Sequence, residues 1–319
     1  MSIFFNLIML EKVALIGGSS HPSLNRQISE ILGIPLTDTL VTRFSDGEIR
    51  VQINESVREK RVFVIQSLCH PVNDNIMESL LLVDAAKRAS AKEVTLVIPY
   101  YAYARQDRKD QPRVPISAKV LANLIESVGT DRIIAVDLHT EQIQGFFNIP
   151  VEHITAIPLF AEYLLNKNLE DLVIVSPDAG GAKRASKLAK KLGAEIAIIY
   201  KMRPRPNAVE VFDVIGNIEG KNCVIIDDIV DTAGTLVAAA EMLLSKGAKS
   251  VGACITHGVL SGPAVERINN SKLTELVITD SIPTESKDIK IKKVLPIAPI
   301  IAEVIRRVVE GKPLSILFE

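Results

Sequence analysis

The sequence contains no tryptophan, and aromatic residues make up only 4% of its 319 residues. Ile, Val, Leu and Ala must therefore fill the hydrophobic cores. An excess of one charge is also missing, because 37 Lys and Arg residues face 38 Asp and Glu residues and leave a formal net charge of −1. General nucleic-acid binding and charge-driven binding to acidic lipid both need a basic surface. We therefore expect neither nucleic acid nor a membrane among the partners of this protein.

Cysteine is scarce, and long hydrophobic runs are absent. The three cysteines, Cys69, Cys223 and Cys254, form no CxxC pair, which fits neither a disulfide framework nor a zinc site. Such thiols are typical of a reduced, cytoplasmic protein. No apolar run reaches the roughly 20 residues of a membrane span. The apolar stretch 3–10 lacks the basic start and cleavage site of a signal peptide, and the sequence leaves open whether translation starts at Met9.

What the sequence does contain is a repeated alternation of short apolar runs and helical patterns. Eight Val/Ile/Leu-rich runs each end in a polar or glycine-rich turn, as strands buried on both faces of a parallel sheet do. Helical spacing predicts helices over residues 74–88, 116–128, 180–192, 233–246 and 298–310. The alternation occurs twice, around a boundary near 148–158, and the length suits two domains. We predict two α/β domains over 1–155 and 156–300, with 301–319 as a C-terminal helix and tail that packs on the first domain.

The most informative segment is CVIIDDIVDTAGTL, residues 223–236. An apolar strand is predicted to end in Asp227 and Asp228, and a short loop then leads into a helix. Small loop residues let backbone N–H groups converge at the helix start, where the dipole favours an anion. Taken alone, the two aspartates fit a turn and a helix cap, but the whole string predicts a site for a phosphorylated sugar beside carboxylates. The loop residues are Asp231, Thr232, Ala233, Gly234 and Thr235.

Two common nucleotide-binding motifs are missing. The sequence has no GxxxxGK[ST] and no GxGxxG string, which argues against dinucleotide-dependent oxidoreduction and means that ATP would need another device. Two charged segments remain, RFSDGEIR over 43–50 and YARQDRKDQPR over 103–113. On charge pattern alone, the second would be a solvated charge run.

Further motifs change this interpretation: DLHTEQIQGFF over 137–147, SPDAGGAKR over 176–184 and THGVLSGPA over 256–264. With them, the chain resembles the class I ribose-phosphate pyrophosphokinases (phosphoribosyl-pyrophosphate synthetases) from about Val13 to Phe318. The resemblance implies two similar type I phosphoribosyltransferase-like domains, each a mostly parallel sheet flanked by helices. It also implies transfer of the β,γ-pyrophosphoryl group of Mg-ATP to O1 of ribose 5-phosphate, which gives phosphoribosyl pyrophosphate and AMP.

The resemblance assigns residues to each substrate. Ribose 5-phosphate would be held by Arg203, the aspartate pair and the 231–235 loop. The pyrophosphate would lie on the loop Asp178, Ala179, Gly180 and Gly181. ATP would be bound by Phe44, Asp46, Gly47 and Glu48 of a neighbouring subunit together with Arg105, Gln106, Asp110 and His139. His139 and Asp178 would hold Mg²⁺, and the sequence leaves open whether the histidine acts directly or through water, because Mg²⁺ prefers oxygen ligands.

Lys201 and Arg203 match the Lys-x-Arg pair of the family's catalytic loop. Cations on a closing loop suit phosphoryl transfer, which depends on positioning, charge neutralisation and exclusion of water. Family members form hexamers that respond to phosphate and ADP, so the resemblance implies a homo-oligomer that phosphate activates. Five residues match the regulatory site: Ser56, Arg58, Lys109, Arg113 and Ser315.

Two alternatives stay open on the sequence. A nucleobase phosphoribosyltransferase shares DDIVDTAGT, but it does not account for two α/β domains, the charged segments or the Lys-Met-Arg string. Some relatives are regulatory subunits without catalytic residues, although the loop residues here match the active pattern. Formation of AMP from ATP and ribose 5-phosphate without a base would favour the pyrophosphokinase over either alternative.

Overall fold

The computed structural model describes residues 12–202 and 211–317. These residues form two compact units. The first unit holds the chain up to Thr155, the segment Ser281–Pro283 and the residues from Pro296 onward. The second holds Ala156–Asp280 and Thr284–Leu295. No helix within the described ranges is both long enough and apolar enough to cross a membrane.

The five helices predicted from apolar spacing lie at or near their predicted positions, and the described residues contain three further helices. The last helix begins at Ala298 and ends at Glu310 as predicted, and Gly311 terminates it with a left-handed φ of 67°, a conformation that glycine adopts without steric cost. The helices are α1 Pro22–Leu32, α2 Val72–Arg88, α3 Ser117–Ser127, α4 Ile157–Lys167, α5 Ala182–Leu192, α6 Gly234–Ser245, α7 Ala264–Asn269 and α8 Ala298–Glu310. The three further helices are α1, α4 and α7.

The strands form one sheet in each unit and a separate two-stranded hairpin. They are β1 Val13–Gly17, β2 Thr39–Arg43, β3 Ile49–Ile53, β4 Arg61–Ile65, β5 Glu93–Ile98, β6 Arg132–Val136, β7 Val151–Ile154, β8 Leu172–Ser176, β9 Glu195–Met202, β10 Val211–Ile215, β11 Asn222–Val230, β12 Ser250–Gly258, β13 Glu275–Thr279 and β14 Lys292–Leu295. The first sheet has the order β1-β4-β5-β6-β7 and the second the order β10-β9-β8-β11-β12-β13-β14.

Both sheets are mostly parallel, which confirms the predicted fold class. Among the named strands of the described chain, antiparallel pairing occurs only within the hairpins β2–β3 and β9–β10. The order β1-β4-β5-β6-β7 is repeated by β8-β11-β12-β13-β14, and each unit has its hairpin between the first and the second of these strands in the chain. The two units therefore share one architecture.

The second sheet is covered on both faces. Cys223 and Ile225 of β11 enter one hydrophobic cluster, which includes Leu243 of α6. Val224 and Ile226 enter the opposite cluster, which contains residues of α4 and α5. Because successive side chains of a strand point to opposite faces, a continuous apolar run is what a strand between two helical layers requires.

Candidate active site

The second sheet brings two predicted site loops together. Strands β8 and β11 are parallel neighbours, with Val173 opposite Cys223, so their carboxyl ends lie at the same edge. The loop 177–181 follows β8 and leads into α5, and the segment 231–233 follows β11 and leads into α6. Ligands of open parallel sheets bind at such an edge. The geometry therefore supports a shared site for the predicted pyrophosphate and ribose-phosphate residues.

The pyrophosphate loop is shaped by its own hydrogen bonds. The backbone N–H of Gly181 donates to Oδ1 of Asp178 at 2.9 Å, and the hydroxyl of Ser176 donates to the Asp178 carbonyl at 2.6 Å. A Cβ on Gly181 would lie 2.7 Å from Oγ of Ser176, closer than real contacts allow. Residues 178–180 are exposed. The loop thus presents exposed backbone at this end of the sheet, as the close approach of a phosphate would require.

The ribose-phosphate loop is held from its far side by α7 and the segment before it. The hydroxyl of Ser261 donates to Asp231, and the guanidinium of Arg267 donates to the Thr232 carbonyl at 3.0 Å. Ala233 is buried and has a left-handed φ of 61°, a backbone state that costs an alanine about 1–2 kcal/mol. Thr232 and Thr235 remain exposed at the start of α6. Their hydroxyls and the helix dipole suit a phosphate.

One sequence prediction is wrong at this point. Asp227 and Asp228 do not end the strand, because β11 continues to Val230 and pairs with β12 as far as Gly258. The aspartates therefore sit within a hydrogen-bonded strand, which fixes their backbones more firmly than a turn would.

Sequence analysis missed the residue that binds both aspartates. Nη1 of Arg184 lies 3.2 Å from Oδ1 of Asp227 and 3.1 Å from Oδ1 of Asp228. Burial and the neighbouring Asp228 carboxylate raise the pKa of Asp227, while Arg184 lowers it. Arg184 is part of the quoted segment SPDAGGAKR, and its positive charge near the start of a predicted helix was the signal that could have identified it. A cation in the first turn of a helix interacts unfavourably with the helix dipole, and a carboxylate partner offsets that cost.

The predicted adenine loop is the turn of hairpin β2–β3 in the first unit. Phe44 donates its N–H to the Glu48 carbonyl at 2.9 Å, and Gly47 donates to the Phe44 carbonyl at 3.0 Å. Gly47 has a φ of 98°, which favours glycine. The side chain of Phe44 is 51% exposed, and Asp46 and Glu48 are also exposed. An aromatic face and two carboxylates are thus exposed on a tight turn.

The other predicted ATP residues follow neighbouring strands of the first sheet. Arg105, Gln106 and Asp110 follow β5 and are exposed, whereas His139 follows β6 and is half-buried. The hydroxyl of Thr140 donates to Asp107 at 2.8 Å, which joins the two segments. Because β5 and β6 are parallel neighbours, these residues lie along one sheet edge.

The predicted regulatory residues are not gathered within the first unit. Ser56 and Arg58 precede β4, at its amino end, whereas Lys109 and Arg113 belong to the segment after the carboxyl end of β5. Strands β4 and β5 are parallel neighbours, so these two groups lie at opposite ends of the strands. Ser315 begins a short 3₁₀ turn that ends at Leu317.

The predicted catalytic pair lies at the limit of the described chain. The backbone of Lys201 belongs to β9 and pairs with that of Phe212, while Arg203 lies outside the described residues. Next to Lys201, the Tyr200 hydroxyl donates to Asp213 at 2.9 Å. Lys246, at the end of α6, binds the same carboxylate at 2.6 Å. The base of the hairpin is thereby tied to the helix that begins at the ribose-phosphate loop.

Within residues 12–202 and 211–317, no group of three or more His, Cys, Asp or Glu side chains is arranged to hold a metal ion. Asp178 has one oxygen engaged by Gly181. Mg²⁺ is commonly held by one or two carboxylates, its waters and substrate phosphates. The donors present therefore fit an ion that arrives with a nucleotide.

Paired aspartates and a small-residue loop at the edge of a parallel α/β sheet define a phosphoribosyl-binding protein of the type I phosphoribosyltransferase kind. Residues 13–129 match the family model described as the N-terminal domain of ribose phosphate pyrophosphokinase. Residues 203–319 match the phosphoribosyl synthetase-associated domain. The chain belongs to the ribose-phosphate pyrophosphokinase family and is a transferase of that kind.

Individual relatives agree over nearly the whole chain. A ribose-phosphate pyrophosphokinase of Aquifex aeolicus is 57% identical and covers 96% of this chain and 99% of its own length. That of Bacillus subtilis is 56% identical and covers 94% and 95%. The crystal structure of phosphoribosylpyrophosphate synthetase from Mycobacterium smegmatis matches with a TM-score of 0.90 at 42% identity, over 94% of this chain and 99% of its own.

Proposed function

We propose that this protein makes phosphoribosyl pyrophosphate and AMP from ATP and ribose 5-phosphate, for nucleotide biosynthesis. O1 of the ribose attacks the β-phosphorus of ATP and releases its proton. The bond from that phosphorus to the oxygen it shares with the α-phosphorus breaks, and AMP leaves. The single observation that carries the proposal is the meeting of the aspartate pair, the ribose-phosphate loop and the pyrophosphate loop at one edge of the second sheet.

The ribose 5-phosphate subsite follows from this edge. The 5-phosphate would accept hydrogen bonds from the exposed Thr232 and Thr235 hydroxyls and from N–H groups at the start of α6. Asp227 and Asp228 would accept hydrogen bonds from the ribose hydroxyls. A sugar held at both ends presents O1 toward the pyrophosphate loop in a defined orientation, which is a major source of rate enhancement.

Lys201 and Arg203 would neutralise the negative charge that develops during transfer. Phe44, Asp46 and Glu48, from a neighbouring subunit, would contact adenine, while Arg105, Gln106, Asp110 and His139 would line the rest of the ATP site. Arg105 suits phosphate because its fork can donate to two oxygens. Asp178 and His139 would hold Mg²⁺, which, when bound, neutralises phosphate oxygens.

We propose further that the protein is a cytoplasmic homo-oligomer, a hexamer, that phosphate activates and ADP inhibits. The separation of Ser56 and Arg58 from Lys109 and Arg113 within one unit supports a regulatory site that needs residues from more than one subunit. Activity that is indifferent to added phosphate would count against this part of the proposal.

The purified chain alone, with Mg²⁺, ATP and ribose 5-phosphate and no nucleobase, tests the reaction. We expect AMP and phosphoribosyl pyrophosphate in equal amounts. Omitting either substrate should abolish both products. Consumption of phosphoribosyl pyrophosphate only when a nucleobase is added would instead indicate a phosphoribosyltransferase, and absence of any turnover would indicate a non-catalytic subunit.

A further inference from the structure

Arg184 occupies a position that is unfavourable for a cation. It is the third residue of α5, where the helix dipole is unfavourable to positive charge. Its side chain is only 16% exposed, so it also loses much of its hydration. The contacts to Asp227 and Asp228 offset these costs.

The two carboxylates need a cation as much as Arg184 needs them. Asp228 is 4% exposed at its side chain and Asp227 34%, and neighbouring carboxylates repel one another when both are ionised. Nη1 of Arg184 contacts one oxygen of each. Oδ1 of Asp227 also accepts the backbone N–H of Asp228 at 2.9 Å. These contacts fix which oxygens face inward, and they do not use Oδ2 of the more exposed Asp227.

Arg184 also connects two subsites. Its helix begins directly after the pyrophosphate loop, and its guanidinium ends on the strand that leads into the ribose-phosphate loop. The contact spans 43 residues of sequence.

We propose that Arg184 is a positioning residue that holds Asp227 and Asp228 in the orientation in which they accept hydrogen bonds from the ribose hydroxyls. This inference rests on the proposed function. Without the guanidinium, the two carboxylates rotate apart and the ribose loses its acceptors, whereas ATP keeps its own contacts. The loss therefore falls on ribose 5-phosphate more than on ATP.

Steady-state kinetics of Arg184→Gln test the proposal by comparing the KM values of the two substrates. A hydrogen bond to a charged group corresponds to a factor of about 10–100 in binding, and we expect a rise of that order in KM for ribose 5-phosphate with a much smaller change in KM for ATP. Arg184→Lys should lie between this variant and the wild type, because an ammonium keeps the charge but cannot reproduce the guanidinium geometry. Lys190→Gln, which removes an exposed cation from the same helix, should match the wild type.

Equal rises in both KM values, or a lowered melting temperature with unchanged KM values, would overturn the positioning role. Failure of the wild type to form AMP would instead reject the proposed function. If Arg184→Gln does not fold, Arg184→Lys carries the test, since a KM for ribose 5-phosphate equal to that of the wild type would contradict the need for a guanidinium.

Discussion

The two units share a strand order but differ at the carboxyl ends of the first two strands of that order, β1 and β4 in the first unit and β8 and β11 in the second. In the second unit, the loops after β8 and β11 expose Asp178, Thr232 and Thr235. In the first unit, the loop after β1 binds both the loop after β4 and helix α2. Ser19 donates its N–H to Glu78 at 2.6 Å, and the Ser20 hydroxyl donates to Gln66 at 2.8 Å.

In the first unit, the polar side chains near the carboxyl ends of β1 and β4 are buried. Gln66, Asn75 and Glu78 are all at most 4% exposed. A Cβ on Gly18 would lie 2.1 Å from Oε1 of Gln66, so the backbone there packs against protein. The comparison teaches that a parallel sheet edge is a potential site, and that the polar side chains of its loops decide whether it stays open or is closed from within.

The hairpins of the two units differ in the side chains that they carry. Hairpin β9–β10 of the second unit carries Lys201, whereas hairpin β2–β3 of the first carries Phe44. Each is tied by an ion pair to the helix after the next strand, Asp213 to Lys246 and Arg43 to Asp74, the latter at 2.9 Å. Under the proposed function, the cation of one hairpin would stabilise a transition state with developing negative charge, and the aromatic face of the other would stack on a nucleobase.

The largest expected effect comes from comparing one substitution in each hairpin. Lys201→Ala should lower kcat by about 10²–10³, because a lost charge-assisted contact in the transition state costs that much, with little change in KM for ATP. Phe44→Ala should chiefly raise KM for ATP, since stacking is made in the ground state as well. Steady-state kinetics of both variants measure the difference. Near-normal turnover of Lys201→Ala would remove the catalytic assignment.

A smaller effect separates the two sheet edges. Gly18→Ala should lower the free energy of unfolding by about 1–3 kcal/mol through overpacking, because Gln66 is buried and bonded to Ser20. Gly181→Ala should act mainly on activity, since displacement of the pyrophosphate loop by about 1 Å can cost about 10²-fold. Denaturant unfolding and AMP formation compare the two variants. A Gly18→Ala variant that is fully stable yet inactive would show that the first edge is an open site.

Much of the fold could be predicted because it depends on the local pattern of apolar and polar residues. The bounds of α8 and β12 follow from the pattern of apolar residues. The small and hydroxyl-bearing residues of the string 223–236 predict a phosphate site. The length of β11 could not be predicted, because pairing with β12 extends it through two aspartates that look like a turn. The contact of Arg184 with residues 43 positions away has no local signature. Hairpin β2–β3 was not predicted, because the sequence of residues 43–50 indicates a charged segment, and the alternating exposure of Leu40, Thr42, Arg50 and Gln52 is visible only in the structure.

The smallest expected effect concerns the base of hairpin β9–β10. Lys246, the Val214 N–H and the Tyr200 hydroxyl lower the pKa of Asp213 from 3.8 to about 2. A carboxylate with a lowered pKa stabilises the folded state above its unfolded pKa and loses that contribution as the pH falls toward the folded value. The melting temperature of Asp213→Asn should therefore lie slightly below that of the wild type at pH 7, and the difference should shrink below about pH 4.

Arg43→Gln at the other hairpin provides the matched measurement, because it breaks the ion pair with Asp74. Both substitutions remove a partly exposed ion pair, so each change in melting temperature is small. If the effect of Asp213→Asn persisted unchanged at pH 3, the contribution of Asp213 would not be that of an ionised carboxylate. The base of the second hairpin would then depend on side-chain packing, and charge would not distinguish how the two hairpins are anchored.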